Sequence, residues 1–283
     1  RAATTWGKRF GSGAEVFVQA AARRTRGERL FYPEFQSDTP TRGLTGLRDG
    51  EDVATLFAKV NVANWQFEVA HTSRDKDIPT ASFETVFNDP RAKTIDRRFF
   101  AFARYQRSLN DGAQISTTLA NDRVDYRGWY PYEQYLTNDG GQSVSWNYDL
   151  QYLRPAGSKH RWVAGMELRH VPKQRQYAYD DDPKPATLDI DTNALAWALF
   201  VQDESRLTDH LTLNVGGRLD HHDRFGFSTS PRFALILAPD AKNTLKLLTG
   251  RSFRAPNEYE TSYADGVSQK ANDNLRPEHL ATY

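Results

Sequence analysis

The feature that most constrains this chain is an alternation of period two. From Ser143 to Leu153, Val144, Trp146, Tyr148, Leu150 and Tyr152 alternate with Ser143, Ser145, Asn147, Asp149 and Gln151. Successive side chains of a strand point to opposite faces, so this pattern gives one apolar, aromatic face and one polar face. Leu211, Leu213, Val215, Gly217 and Leu219 repeat it against Thr212, Asn214, Gly216, Arg218 and Asp220. Trp65, Phe67 and Val69 repeat it against Gln66, Glu68 and Ala70. Trp162, Ala164, Met166 and Leu168 do so against Val163, Gly165, Glu167 and Arg169, with Val163 blurring the polar side.

Twelve such stretches are legible, at 2–9, 14–22, 52–61, 64–72, 97–107, 113–127, 142–153, 160–171, 191–205, 210–221, 230–238 and 244–253, and a thirteenth starts near 279. Their connections alternate between short and long. The short ones are 10–13, 62–63, 108–112, 154–159, 206–209 and 239–243, several with turn chemistry such as Asn-Asp-Gly or Pro-Ala-Gly. The long ones are 23–51, 73–96, 128–141, 172–190 and 254–278, with a shorter one at 222–229. Strands of about 9–11 residues with short turns at one end and long loops at the other fit an all-β, antiparallel, up-and-down transmembrane barrel. Aromatic residues near strand ends (Phe99 and Tyr105, Tyr126 and Tyr130, Trp146 and Tyr152, Trp162) fit interfacial girdles. A soluble β-sheet module is the competing fold, but its strands average about 5–6 residues, and a propeller would show a repeat, which is absent.

Composition removes other classes. The longest unbroken apolar run, Ala194 to Val201, is eight residues, too short for a membrane helix of about 20. With 13 Tyr, 16 Phe and 6 Trp the chain is not a solvated coil. Lys and Arg total 37 against 36 Asp and Glu, a net charge of +1, which argues against nucleic acid as a partner. No cysteine is present, excluding disulfides, thiolate metal sites and cysteine nucleophiles. Residues 1–22 lack the charged start and apolar core of a secretory leader. The first residue, Arg1, falls within a strand pattern and another strand begins just before Tyr283, so a piece of a longer protein is expected.

The stretch 200–278 carries a family resemblance. Phe200-Val201-Gln202-Asp203-Glu204 leads to Leu207-Thr208-Asp209-His210-Leu211-Thr212-Leu213-Asn214, then Gly217-Arg218-Leu219-Asp220, Ser230-Pro231-Arg232 and Leu245-Lys246-Leu247-Leu248. Gly250-Arg251-Ser252-Phe253-Arg254-Ala255-Pro256 and Asn274-Leu275-Arg276-Pro277-Glu278 follow. This resembles the barrel of TonB-dependent outer-membrane receptors. Phe31-Tyr32-Pro33-Glu34-Phe35, Ile78-Pro79-Thr80-Ala81-Ser82-Phe83 and Phe87-Asn88-Asp89-Pro90 resemble one proteobacterial branch of it. The resemblance implies a barrel of about 22 strands with a plugged lumen. It implies uptake of a scarce ligand, most commonly a ferric siderophore, driven by the TonB complex through the plug. Residues 1–283 then form a single partial barrel domain, with the plug domain and the C-terminal strands absent. A passive porin and an outer-membrane hydrolase remain as alternatives. The expected partners are the TonB complex, the nutrient ligand and outer-membrane lipid. No cofactor and no catalytic residue is expected.

Candidate ligand-binding residues are Tyr126, Arg127, Trp129, Tyr130, Tyr132 and Tyr135, in the densest aromatic patch, where Arg127 beside the rings would suit an anionic ferric complex. Arg251, Arg254 and Asn257, with Glu258, sit where another long loop leaves the barrel. Parity places Gln66, Glu68, Asn147, Asp149, Gln151, Glu167, Arg169, Thr212, Asn214 and Arg218 toward the lumen. Asp220-His221-His222-Asp223 resembles a metal cluster, but neighbouring strand residues face opposite ways and cannot share an ion. Asp180, Asp181, Asp182, Asp189 and Asp191 read as a solvated acidic loop. A hydrolase would need a Ser within hydrogen-bond reach of a His such as His160, His170 or His221. No Gly-x-Ser-x-Gly elbow or phosphate-binding loop appears, and Gly11-Ser12-Gly13 is a turn.

Overall fold

The computed structural model describes residues 1–37, 39–181, 187–264 and 269–283. Among them the chain forms a single antiparallel meander of thirteen strands, each paired with its sequence neighbours. In order these are β1 (Ala2–Arg9), β2 (Glu15–Thr25), β3 (Glu51–Val62), β4 (Trp65–Asp77), β5 (Lys93–Ser108), β6 (Gln114–Pro131) and β7 (Leu136–Ala156). Then follow β8 (His160–Asp180), β9 (Leu188–Arg206), β10 (Leu211–His222), β11 (Gly226–Leu237), β12 (Leu245–Arg254) and β13 (Glu278–Thr282). One short helix, α1 (Glu258–Ser262), lies in the β12–β13 connection. No helix among the described residues is long and apolar enough to cross a membrane.

Three of the short connections, after β1, β5 and β7, carry a left-handed glycine. At 10–14 the Gly13 N–H donates to Phe10 O (2.9 Å) with Gly13 at φ 82°, and at 109–113 Gly112 repeats this to Leu109 O (3.1 Å) at φ 77°. A residue bearing Cβ is strained in that conformation, which is why Gly closes both turns.

Register carries the polar face across the sheet. One rung runs through Gln66, Arg104, Thr118, Asp149, Glu167, Ala198 and Asp220 on β4 to β10. The adjacent rung, on the other face, is Trp65, Tyr105, Thr117, Leu150, Met166, Leu199 and Leu219. The apolar face is not covered by any second layer. Leu56, Leu119, Leu199, Val201 and Val215 are each 45–50 % exposed, whereas a soluble sheet would pack such residues on a core. A charge on a lipid-facing strand costs about 2–4 kcal/mol at mid-membrane, and between Trp146 and Tyr152 the apolar face of β7 carries none. Aromatic rings cluster at both ends of the band. Trp65 lies 5.0 Å from Tyr105 near the short turns. At the other end Trp197 stacks on His221 at 5.4 Å, and Phe227 packs edge-on to both.

The strands run farther than the alternation predicts. Residues 128–141, expected as a loop, are the paired ends of β6 and β7 around a turn at 132–135, and most of 172–190 is strand. Beyond the aromatic band the face that was apolar carries Arg123, Asp125, Arg127, Lys173, Arg175, Asp189 and Asp191. Hydropathy stops alternating there, but backbone N–H and C=O groups still need partners and the ladder continues.

One irregularity matters. Trp146 opposes His170 but Val144 opposes Lys173, and Val171 opposes Ala194 but Gln174 opposes Thr192. Both neighbours place one extra residue in β8, at Pro172, which has no N–H to give a ladder. The bulge sends Lys173 and Arg175 outward and Gln174 and Gln176 inward.

Gly165 sits where β8 passes closest to its neighbours. An added Cβ would lie 2.5 Å from the Leu150 carbonyl oxygen and collide with the Phe200 ring. At Gly217 it would meet nothing within 4 Å. Gly165→Ala should therefore destabilise the intact receptor by about 1–3 kcal/mol, and Gly217→Ala should stay within about 0.5 kcal/mol, read from urea unfolding in micelles.

Candidate functional site

All ten residues assigned to the lumen by parity fall on the polar face. Many of their charges are internally matched. Lys59 and Gln66 converge on Glu68 (3.0 and 2.6 Å), and Arg218 bridges Glu167 (2.6 Å) and Asp220 (2.9 Å). Asn147 donates to Ser145 Oγ (3.3 Å). Arg169 has no ion pair among the described residues. It lines a cavity of about 530 Å³ together with Gln174, Thr192, His222, Arg224 and Glu258.

The aromatic patch divides by parity. Tyr126 and Tyr130 lie on the polar face, with their phenol oxygens hydrogen-bonded across Gly128. A Cβ at Gly128 would sit 2.5 Å from Tyr130 Cε2 and 2.7 Å from Tyr126 Oη, so only glycine fits between the rings. Arg127 and Trp129 point to the opposite face, where Arg127 pairs with Asp125 (3.2 Å) and Lys93 sits 4.8 Å over the Trp129 ring. Arg127 shares a face with Trp129 but does not lie beside Tyr126 and Tyr130 as expected, because an odd and an even strand position cannot share a face. Tyr132 and Tyr135 occupy the turn, stacked at 4.9 Å, with the Tyr132 hydroxyl donating to Phe83 O (3.2 Å).

What stands beside the Tyr126–Tyr130 pair instead is acid. Asp139 opposes Gly128 and Asp96 opposes Tyr126 on the same face. Burial pushes both phenols above their ordinary range, and the Asp139 and Asp96 carboxylates reinforce the shift. Burial also raises Asp139, against the pull of the Gly140 N–H. At neutral pH the pair is therefore protonated and presents flat rings with hydroxyl donors. Tyr259 of α1 is near enough to Tyr130 to act on its ionisation. Asp139 and Gly128 went unassigned because 128–141 read as a loop, and Phe83 was legible only as part of a family motif. The continued two-residue spacing of Tyr126, Gly128 and Tyr130 was the available signal.

Two long loops buttress this hairpin. Tyr32 and Phe35 of the β2–β3 loop pack on Phe87 of the β4–β5 loop at 5.8 and 4.3 Å, and Asn88 Nδ2 donates to Leu44 O (3.4 Å). The Val86 N–H donates to Pro131 O (2.8 Å). Phe83, held at φ 57° and 74 % exposed, stands edge-on to Tyr130 at 5.7 Å. A bulky residue in the left-handed region is strained, and such strain gathers at sites whose surroundings fix it. The motifs around Phe31 and Phe83 are thus one assembly.

At the β12 exit Arg251 and Arg254 lie on opposite faces. Arg254 is fully engaged, with two bonds to Glu260 (2.9 Å each) and two to Glu278 (3.0 and 3.2 Å). Asn257 caps α1, accepting the Glu260 N–H (2.9 Å) while Glu260 accepts the Asn257 N–H (2.9 Å). Arg224, in the β10–β11 turn, clasps the same loop through Glu258 (3.2 Å), Thr261 (3.0 Å) and Asp273 (2.9 Å). Arg254 and Asn257 therefore hold the loop rather than offering open donors.

The remaining clusters resolve into local pairs. His221 stacks on Trp197 on one face, and His222 lies beside Asp223 (3.0 Å) on the other. Asp180 accepts from Thr137 (2.7 Å), Asp181 from Asn138 (2.6 Å), and Asp189 from Arg175 (2.9 and 3.0 Å). Asp182 lies outside the described residues. Ser205 and His160 do come within reach, but Ser205 Oγ and Asp203 Oδ2 both meet His160 Nδ1 (3.0 and 2.8 Å). Ser205 also donates directly to Asp203 (2.5 Å). A nucleophile relay needs Ser and Asp on different imidazole nitrogens, so this triangle does not activate Ser205.

Residues 17–283 match the model of the TonB dependent receptor-like β-barrel family. The chain belongs to that family, whose place is the bacterial outer membrane, and whose members are transport receptors rather than enzymes. It is 34 % identical over 87 residues to the iron-regulated outer membrane virulence protein of Vibrio cholerae serotype O1, covering 29 % of this chain and 13 % of that protein. Its fold resembles the ferric enterobactin receptor of Pseudomonas aeruginosa, with a TM-score of 0.69 at 14 % identity, over 98 % of this chain and 46 % of that one. It also resembles the unliganded ferric citrate transporter FecA, with a TM-score of 0.65 at 13 % identity, over 88 % of this chain and 40 % of that one. The chain thus spans less than half the length of these proteins.

The Arg254 anchor is testable by pH. Arg254 holds Glu260 and Glu278 below the ordinary carboxylate range. A depressed folded-state pKa stabilises at pH above the unfolded value and is lost as pH falls through the folded one. The protection factor of the α1 amides, exchange measured against the intrinsic rate at the same pH, should stay high at neutral pH and fall below the ordinary Glu value of 4.5. Arg254→Gln should give fast exchange already at pH 7.

Proposed function

We propose that this chain is the barrel portion of an active-transport receptor that imports a scarce ligand, a ferric siderophore, with energy supplied by the TonB complex. Membership of the TonB-dependent receptor family carries this reading. The structural likeness to ferric-siderophore receptors fits it, and so does the similarity to an iron-regulated Vibrio protein. In this reading the polar face lines the lumen and meets a plug domain that lies, with further strands, outside residues 1–283. The unpaired edges of β1 and β13 support that arrangement, since an open ladder edge cannot persist in hydrocarbon.

The geometry supports the following roles. Tyr126 and Tyr130, braced by Phe83 and flanked by Asp139, offer the aromatic surface on which a ligand stacks. Gln66, Glu68, Asn147, Asp149, Gln151, Glu167, Arg169, Thr212, Asn214 and Arg218 give the lumen wall polar contacts for the plug. Arg254, Asn257 and Arg224 fix the loop above. A passive porin would need no plug and no energy coupling.

The deciding test is growth under iron limitation with the full-length gene deleted. Loss of growth on one ferric siderophore, restored by the gene and abolished by a TonB-complex inhibitor, is expected. Unchanged growth on every ferric siderophore tried would remove iron as the cargo. With the cargo in hand, Tyr126→Ala/Tyr130→Ala should weaken its binding at least about tenfold.

A further inference from the structure

On the apolar face, the first charge met beyond the band on β5, β6 and β8 is a cation each time. Arg97 follows Phe99, Arg123 follows Asn121, and Lys173 follows His170 across the bulge. On β7, between them, Gln142 follows Val144. Register ties the three together. Phe99, Arg123, Val144 and Lys173 form one rung. Arg97 stands diagonal to Arg123, a spacing of about 7–8 Å. Arg123 and Lys173 are two strands, about 10 Å, apart.

None of the three has a carboxylate partner among the described residues. Arg123 donates to Asn121 Oδ1 (3.0 Å) and lies 6.0 Å over the Phe99 ring. Arg97 and Lys173 have no hydrogen bond or ion pair among the described residues. Farther out Arg127 pairs with Asp125 and Arg175 with Asp189, while Lys93 lies over the Trp129 ring. Asp125 already accepts from Gln142 as well (2.8 Å). Arg123 and Lys173 thus stand unpaired at the height at which the apolar band ends, facing away from the lumen, and Arg97 stands one rung farther out, opposite an Asp125 that Gln142 and Arg127 already engage.

We propose that Arg97, Arg123 and Lys173 form a binding site for phosphate groups on the lipid headgroups of the surrounding leaflet. At that height an outward side chain meets headgroups rather than protein. Cations at a membrane surface favour anionic lipid, and Arg forms paired hydrogen bonds to phosphate. The Pro172 bulge is what turns Lys173 outward to complete the site.

The test is lipid binding to the full-length receptor in micelles, with diphosphorylated lipid A and its phosphate-free counterpart as probes. Wild type should prefer the phosphorylated lipid. Arg97→Gln/Arg123→Gln/Lys173→Gln should weaken that binding about 100-fold, roughly fivefold per cation, and leave the phosphate-free lipid unchanged. Arg107→Gln/Arg154→Gln, outward at the opposite rim, should change neither. An unaltered preference in the triple variant, or an equal loss in the opposite-rim control, would overturn the proposal. So would displacement of the lipid by an equal concentration of inorganic phosphate. Retained cargo binding verifies folding, and if the triple variant loses it, Arg97→Gln alone must still show the fivefold loss.

Discussion

Everything in this chain answers to one requirement: in hydrocarbon, a backbone N–H or C=O has no water to bond. A strand meets it only by pairing on both sides. The twelve consecutive antiparallel ladders are that solution, and they fix what each side chain can do. Once the ladder is set, alternate residues belong to two unlike environments, and the sheet needs no core of its own. Its apolar residues remain exposed within the chain because their partner is lipid, and within the band its charges gather on the other face, many of them paired there.

The same ladder explains how the site is built. Tyr126 and Tyr130 share a face because they are four residues apart, and Gly128 supplies the gap that lets their hydroxyls meet. Arg127 is excluded from that face by a single residue. Loops add what strands cannot. The Phe35–Phe87 stack, the Val86–Pro131 bond and the Arg224 and Arg254 clasps hold long connections against the strand ends. A mostly polar rim is thereby given a defined shape.

Much of the fold was legible because lipid enforces a clean alternation. Within the band, Trp146 to Tyr152 announced both the strand and its two faces, and the lumen-facing set followed by counting. Legibility ended with the lipid. Past Arg123 and Lys173 the outward positions are as polar as the inward ones, so paired strand resembled loop, and Asp139 was hidden in it. The bulge at Pro172 left only a proline as its sign. The Arg254 clasp joins residues separated by 24 positions and depends on how the loop folds back, which no local pattern reports.

The account rests on the two faces being lipid and lumen. Cysteine scanning of β7 from Ser145 to Tyr152 in the full-length receptor, in its native membrane, tests it most directly, because residues 1–283 contribute no cysteine of their own. Cysteines at Asn147, Asp149 and Gln151 should react with a water-soluble maleimide. Those at Trp146, Tyr148, Leu150 and Tyr152 should react only with a reagent that partitions into lipid. Uniform reactivity along the strand, or the opposite parity, would contradict the barrel described here.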